Sequence, residues 1–387
     1  MKTLRSLAAL ALAACGSLPS PSGPVDAGQD PQPPPRDAGV DAGPPPPPPD
    51  AGTLCDGLQP CNFEWSETSA FPANVDHHTT FVATSAAGTF VYVAGGLHNQ
   101  TSQVYDIVRR APVAADGSLG AWVECTKLPM PIGFHAMAQS GRYVYLMAGV
   151  SQDASGPFGH DQSLIGTVQD DGDITWVTNP NRLRAAFLHG TAVVVGETLY
   201  MFGGTGANGP QSVVKLAQIQ GDGSLGPWAD GPALPLQRSH HVAVVYGGHI
   251  FIAGGFDTGM NPTIEVLRSS FDANHMLTGW IVVGEVLDSP WTSAAVVYRD
   301  HLFLIGGGEG GPGQERYVNR VRRARFDGAG GILSFVDVDA LPAGRAHVHQ
   351  VPMYRDHLYS VGGRVSSGQA LESISRVFVG KLGGGTE

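Results

Sequence analysis

Charge is scarce in this chain: Asp, Glu, Lys and Arg together make up 15% of its 387 residues. Long solvated helices draw on those residues, so they fit poorly, and 53 glycines suit many short strands joined by turns. Positive charge is the scarcer sign, with 23 Lys and Arg against 34 Asp and Glu and a formal net charge of -11. A chain of that sign repels phosphate backbones, which excludes nucleic acid as a partner unless a local patch reverses the field. Only four cysteines occur and none are spaced as CxxC, so no thiolate zinc site is expected. A GxSxG-type nucleophile elbow is missing, as are the carboxylate spacing and terminal Glu of an EF-hand. No cofactor, metal ligand or catalytic residue is assigned from the sequence.

The apolar stretch near the N-terminus, Leu7 to Ala14, is too short to span a bilayer and follows the cationic start Met1-Lys2-Thr3-Leu4-Arg5. Leu12-Ala13-Ala14-Cys15-Gly16 then resembles the lipobox of bacterial lipoproteins. That resemblance implies cleavage before Cys15, a thioether-linked diacylglycerol on its sulfur and usually a third acyl chain, enough for stable membrane anchoring. Gly16 rather than Asp follows the cysteine, which points to the outer membrane. From Gly16 to Gly52 the chain is Pro-rich, with Asp-Ala-Gly at 26, 37, 41 and 50 and six prolines from Pro44 to Pro49. Proline fixes φ and lacks an amide donor, so this stretch is expected to be an extended spacer reaching up to about 100 Å. The expected organisation is a signal and lipid site over 1–15, a linker over 16–52 and a folded domain over 53–382. Cys55 and Cys61 are close enough to close a small disulfide loop in an oxidising exported compartment, and Cys125 remains as a buried small hydrophobe.

Within the domain one short apolar run ending in glycine recurs: VYVAGG at 91, YLMAGV at 145, LYMFGG at 199, IFIAGG at 250, LFLIGG at 302 and LYSVGG at 358. Taking Gly95, Gly149, Gly203, Gly254, Gly306 and Gly362 as equivalent gives a period of 51 to 56 residues, which belongs to propeller blades rather than helical solenoids. Each run is the second arm of an apolar hairpin whose turn is, for example, Gly247-Gly248, Arg299-Asp300 or Arg355-Asp356. A third strand follows, then an Asp-Gly turn and an aromatic that opens a fourth: Asp116-Gly117 with Trp122, Asp171-Gly172 with Trp176, Asp222-Gly223 with Trp228 and Asp327-Gly328 with Phe335. The fourth repeat puts Asp272-Ala-Asn274 before Trp280. Val-Arg-Arg-Ala occurs at 108 and again at 321, so the basic cluster Arg316, Arg320, Arg322, Arg323 and Arg325 reads as the solvated face of an outer strand.

Leu234-Pro-Leu-Gln-Arg238-Ser-His240-His241, Ile250-Phe-Ile-Ala-Gly-Gly255 and Gly226-Pro-Trp228 together resemble the kelch repeat. The resemblance covers about residues 53 to 380 and implies an all-β, six-bladed kelch-type propeller with four strands per blade. Trp291-Thr292-Ser293 departs from the pattern where other repeats carry histidine. The last repeat has no fourth strand of its own, while Asp56-Gly57 and Trp65 form an orphan turn and aromatic. Residues near Asn62 to Thr68 are therefore expected to complete blade six, since propellers close their ring to avoid an open edge.

In kelch propellers the loops before strand one and after strand two share one face. The first set carries His77, His78, His135, His189, Arg238, His240, His241, Arg345, His347 and His349, which are expected to form a crown at the channel mouth. Glu309 and Glu315 lie in the second set. All of these except His77 are taken as ligand-binding candidates. Histidine is a metal ligand and a general base, but repetition at one register points to loop hydrogen bonds, and which of His240 and His241 faces inward stays open at this stage. The favoured expectation is a lipid-anchored scaffold in the cell envelope that binds a protein or glycan partner. The alternative is a cofactor-free carbohydrate enzyme of the sialic acid mutarotase kind, for which Arg238, Arg345, Glu309 and Glu315 are the available polar groups.

Overall fold

A strand covered on both faces reads as an unbroken apolar run, whereas a half-exposed strand alternates. The second strand of each repeat is of the first kind: His301–Ile305 and His357–Val361 are buried throughout, and His249–Ala253 at all but its first residue. In the computed structural model, which describes residues 63–382 apart from 274–275, 289, 312–315 and 368–369, these strands sit inside six antiparallel four-stranded sheets. Blade one comprises Thr79–Ser85, Gly88–Ala94, Val108–Pro112 and Val123–Glu124 in spatial order, and blades two to five repeat that up-and-down course. The expected signal, linker, lipidation site Cys15, disulfide partners Cys55 and Cys61 and the candidate Glu315 lie outside the described residues. No helix among the described residues is long and apolar enough to cross a membrane.

Blade six is built from both ends of the domain. Met353–Tyr354, His357–Val361 and Val377–Leu382 supply three strands, and Phe63–Glu67 adds the fourth by pairing antiparallel with Val377–Leu382, Trp65 opposite Gly380. The closure expected from the orphan aromatic is the one observed. Trp65 also takes the place its counterparts occupy elsewhere. Its indole N–H donates to the Asp339 carbonyl at 3.1 Å, as Trp122 does to Ser69, Trp176 to Thr126, Trp228 to Asn181 and Trp280 to Pro232 at 3.0 to 3.2 Å. Each tryptophan thus latches its outer strand to the segment that leads in from the preceding blade.

Apolar packing fills the gaps between blades. One cluster joins Phe81 and Tyr92 of blade one to Val144 and Leu146 of blade two, and another joins Val91 and Val93 to Tyr359, Val361 and Val377 across the seam. A fully buried aliphatic side chain contributes about 1.5–3 kcal/mol, so these interblade layers dominate cohesion and no blade has a core of its own. Cys125 is free and half-buried against the first cluster, and burial pushes its thiol up to about 12.

The turns follow the chemistry of their residues. Gly117, Gly172 and Gly223 each have φ of 82° and Gly328 76°, while the preceding Asp carboxylate accepts the backbone N–H two residues on, as Ser118 N–H donates to Asp116 Oδ1 at 3.0 Å. These are hairpin turns closed by a local Asp, not cation loops.

The recurrent glycine pair has a separate cause. The second glycine of every blade donates its N–H to a carbonyl of the next: Gly96 to Ile132, Gly149 to Phe187, Gly204 to Arg238, Gly255 to Pro290, Gly307 to Arg345 and Gly363 to Val75, at 2.7 to 3.0 Å. All six glycines have φ between 93° and 98°, and a Cβ on Gly96 would lie 2.7 Å from the Cβ of His78. Blade two corrects the repeat alignment by one residue. Its pair is Ala148-Gly149, with Gly149 in the second position, and Ala148 adopts the left-handed φ of 55° that the first glycine takes elsewhere.

The Arg cluster matches its expected solvated face only in part, since Arg316 and Arg325 are exposed. Val321–Arg325 is the third strand of blade five, with Val336–Val338 outside it, and Arg322 and Arg323 are 2% and 8% exposed. Glu309, buried beneath them, receives Arg316, Arg320 and Arg322, and Arg320 also reaches Asp288 and Asp337. The periodic charge pattern missed this because spacing alone does not show that Glu309, 7, 11 and 13 residues before Arg316, Arg320 and Arg322, folds back onto them.

If close approach at the glycine pair holds the blades together, Gly255→Ala will suffer both left-handed strain of roughly 1–2 kcal/mol and a clash of roughly 1–3 kcal/mol with the Ser239 carbonyl. Gly141→Ala, with φ of 55° and open space around it, will suffer only the strain. Urea unfolding of both variants checks this, and equal losses would contradict it.

Candidate functional site

One residue at the start of each blade faces the axis, and its backbone is what places it there. His77, Phe134, His189, His240, Thr292 and His347 all have φ between 49° and 59°, a left-handed conformation that non-glycine residues adopt only when the surroundings enforce it. The enforcement is a second belt of hydrogen bonds. Phe134 N–H donates to the His77 carbonyl, His189 to Phe134, His240 to His189, Thr292 to His240 and His77 to His347, at 2.9 to 3.2 Å.

Their side chains close the channel. His77 packs against Phe134 at 4.0 Å between ring centroids and against His347 at 4.1 Å; His189 stacks on His240 at 3.7 Å. His349, two residues after His347, reaches the same space at 5.4 Å from His77 and 6.0 Å from His189. The open register question resolves into two layers: His240 lies on the axis, whereas His241, like His78 and His135, is tucked beneath a glycine pair. Thr79 Oγ1 bonds His135 Nε2 at 2.6 Å, which is the loop bonding the repeat pattern leads one to expect.

Asp76 and Phe134 escaped the sequence reading. Phe134 replaces histidine at its register and gave no polar signal. Asp76 is fully buried, bonds Nδ1 of His77, and is fixed by Arg364 at 3.0 and 3.2 Å and by the Ser373 hydroxyl. An Asp directly before a histidine at the first blade was the available clue.

Arg238 and Arg345, also read as ligand candidates, are each 1% exposed. Arg238 donates to the Glu265 carbonyl at 3.0 Å and reaches Gly254 O at 3.4 Å. Arg345 donates to Ser360 O at 3.2 Å and Gly362 O at 3.0 Å and lies 4.1 Å over the Phe378 ring. Glu309 is enclosed by its arginines as described above. The structure therefore gathers His77, His189, His240, His347 and His349 on the axis, keeps His78, His135 and His241 in the layer beneath the glycine pairs, and directs Arg238, Arg345 and Glu309 into the blades.

Above the plug, the segments after strand two rise as short antiparallel ribbons. Blade one gives Leu97–His98 with Gln103–Val104, blade two Val150–Asp153 with Gly156–Gly159, blade three Thr205–Gly206 with Gly209–Pro210, blade five Gly308–Glu309 with Arg316–Tyr317 and blade six Arg364–Ser367 with Ala370–Ser373. Blade four makes a single bridge between Phe256 and Pro262. Neighbouring ribbons are tied: Val104 N–H donates to Gln152 Oε1 at 2.8 Å, and the Asn99 amide donates to Leu371 O at 2.7 Å. A groove of about 920 Å³ that includes the exposed Leu287 and Leu333 lies apart from this crown, on the rim between blades four and five.

Comparison with known proteins adds three findings. No family model matches the chain. It is similar to Kelch repeat protein M-T8 of Myxoma virus, 28% identical over 178 residues, and to Kelch-like protein 34 of Homo sapiens, 30% identical over 151 residues; these matches cover 45% and 37% of the chain. They span only 31% and 22% of those relatives' own lengths. A solved structure titled "Structure of YjhT" superposes with a TM-score of 0.63 at 14% identity, covering 80% of this chain and 95% of the other, a likeness of fold.

Burial disfavours protonation of the imidazoles in both layers. It pushes His135 and His240 down to about 3 and His78 and His349 to about 4, and drives His77, His189, His241 and His347 well below the usual histidine value, with Arg364 adding repulsion at His77. In the unfolded chain these groups take up protons near pH 6.5 while the folded ones do not. Stability is therefore complete above that pH and falls as the pH drops toward 4, by about 1.4 kcal/mol per pH unit for each such histidine. Urea unfolding at pH 7, 6 and 5 will show a steep decline, and a flat profile would contradict neutral buried rings.

Proposed function

We propose that this six-bladed β-propeller, similar in sequence to kelch repeat proteins, is a binding scaffold whose crown of mouth ribbons recognises a protein or glycan outside the cytoplasm. The observation that carries this reading is the combination of a plugged axis with a crown of tied ribbons. A channel filled by rings leaves recognition to the surface above it, and that surface is pre-organised because its ribbons brace one another. Loops of differing length on a fixed strand frame are how one scaffold acquires a particular specificity. The polar groups that a carbohydrate enzyme at the mouth would draw on, Arg238, Arg345 and Glu309, are instead engaged within the blades.

Placement in the envelope rests on the lipobox-like Leu12-Ala13-Ala14-Cys15 and the proline-rich spacer that follows it. Diacylglyceryl attachment at Cys15 would tether the propeller, most naturally to the outer membrane since Gly16 follows the cysteine. The spacer would hold the crown clear of the lipid, free to meet large ligands.

The purified chain, applied to a glycan array and used in pulldowns from envelope extracts, will select a discrete ligand. Ala154→Arg and Asn208→Arg, both at exposed ribbon tips, will weaken that binding at least about tenfold with unchanged thermal stability. Binding indifferent to both changes, or acceleration of sialic acid anomer exchange in NMR, would overturn the scaffold reading. In a bacterial host, Cys15→Ser will abolish acyl labelling and release the protein from membranes; retention in the membrane fraction would overturn the anchor.

A further inference from the structure

The axial plug contains more unsatisfied nitrogen than packing accounts for. One ring nitrogen from each of His77, His347 and His349 lies within 4.8 Å of the others. Nε2 of His77, Nδ1 of His347 and Nε2 of His349 are all buried without a hydrogen-bond partner, and the first two residues are 1% and 2% exposed. Burying such an atom unpaired is unfavourable, and each of the three clustered rings carries one. The repeat pattern led us to expect loop hydrogen bonds from the mouth histidines; His135, in the layer beneath the glycine pairs, makes one, and these three nitrogens do not.

The opposite edges of two of the rings are held. His77 Nδ1 donates to the Asp76 carboxylate, which leaves the lone pair on Nε2, and Asp76 is itself fixed by Arg364 and Ser373. His347 Nε2 lies 3.2 Å from the Tyr317 hydroxyl; with that nitrogen donating, the lone pair falls on Nδ1. A carboxylate bonded to the far nitrogen fixes the tautomer and orientation of a metal-bound histidine in the same manner.

We propose that His77, His347 and His349 form a binding site for one zinc ion on the propeller axis. Three imidazoles suit a borderline divalent transition metal, while calcium and magnesium require oxygen donors that this cluster does not offer. Zn–N bonds of about 2.0–2.1 Å bring tetrahedral ligands closer together than they now stand. His349 supplies the adjustment: it is the half-buried member, and its ring lies 6.5 Å from that of His347. Three protein ligands leave the fourth position to water or to a donor atom from a ligand at the mouth. The site goes beyond the scaffold reading and is independent of what the crown binds.

The full chain, purified without a histidine tag and stripped with a chelator, will take up one equivalent of zinc in calorimetric titration and retain it through dialysis, as measured by mass spectrometry. Cobalt(II) will give the visible absorption of a tetrahedral site. His349→Ala will abolish stoichiometric uptake and the cobalt spectrum, Asp76→Asn will weaken affinity about 10–100-fold, and His249→Gln, on the far side of blade four, will change neither. His349→Gln, which keeps the bulk of the ring, serves as a second ligand variant, and circular dichroism establishes that each variant is folded. Failure of the folded wild-type chain to bind one equivalent, or binding by a folded His349 variant equal to wild type, would overturn the proposal.

Discussion

The hydrogen bond from the second glycine of each repeat to a carbonyl of the following blade sets the architecture, because it forces two backbones together where no side chain fits. Six such bonds run in one direction around the axis, and the last, from Gly363 to Val75, joins blade six to blade one. A bond of this kind is short-ranged and directional, so it fixes how far each blade is rotated from its neighbour, whereas the apolar layers that supply most of the cohesion are tolerant of direction. Hydrophobic burial makes the blades stick, and the glycine contact makes them stick at one angle. The number of blades follows from that angle.

The plug is a consequence of the same constraint. With the blades drawn in by their glycines, the residues that open each first strand are pushed against one another at the axis, and their carbonyls and N–H groups join in an inner belt. That crowding holds all six in left-handed backbone geometry, five of them with aromatic or imidazole rings and Thr292 the small member. It also strips water from the imidazoles, which is why burial disfavours their protonation and why some of their nitrogens are unpaired. Sensitivity to acid, the closed channel and the clustering of three imidazoles are thus three outcomes of one packing event. The ribbons above it rest on this floor and gain their rigidity from it.

Most of the architecture was legible in the sequence because it is periodic. A motif that recurs about every 50 residues reports its own environment six times, so the two-sided burial of strand two, the Asp-Gly turns and the outer aromatics could be read from residue type alone. The orphan Trp65 even gave the closure, since a repeat with an aromatic and no strand two has only one place to go. What did not recur was hidden. Asp76 occurs once, its partners Arg364 and Ser373 lie nearly 300 residues away, and nothing local marks it as buried. Glu309 was read as a ligand candidate because nothing local shows that it folds back under three arginines 7, 11 and 13 residues on, and the periodic Val-Arg-Arg-Ala pattern pointed the wrong way. The one-residue ambiguity between His240 and His241 needed φ values, which composition does not carry. Ala148 in the first glycine position of blade two shifted the alignment because the sequence shows glycine, not the backbone angle that glycine makes easy.

The central claim is that the domain is one closed ring, with its first strand as the outer edge of its last blade. Native-state hydrogen exchange tests this most directly. The account predicts that the paired amides of Phe63–Glu67 and Val377–Leu382, and the Gly363 amide bonded to Val75, exchange only through the same global unfolding that exposes Gly149, Gly204 and Gly255 in the middle of the chain. Exchange of the seam amides through a separate, much less costly opening, with the central blades still protected, would contradict it.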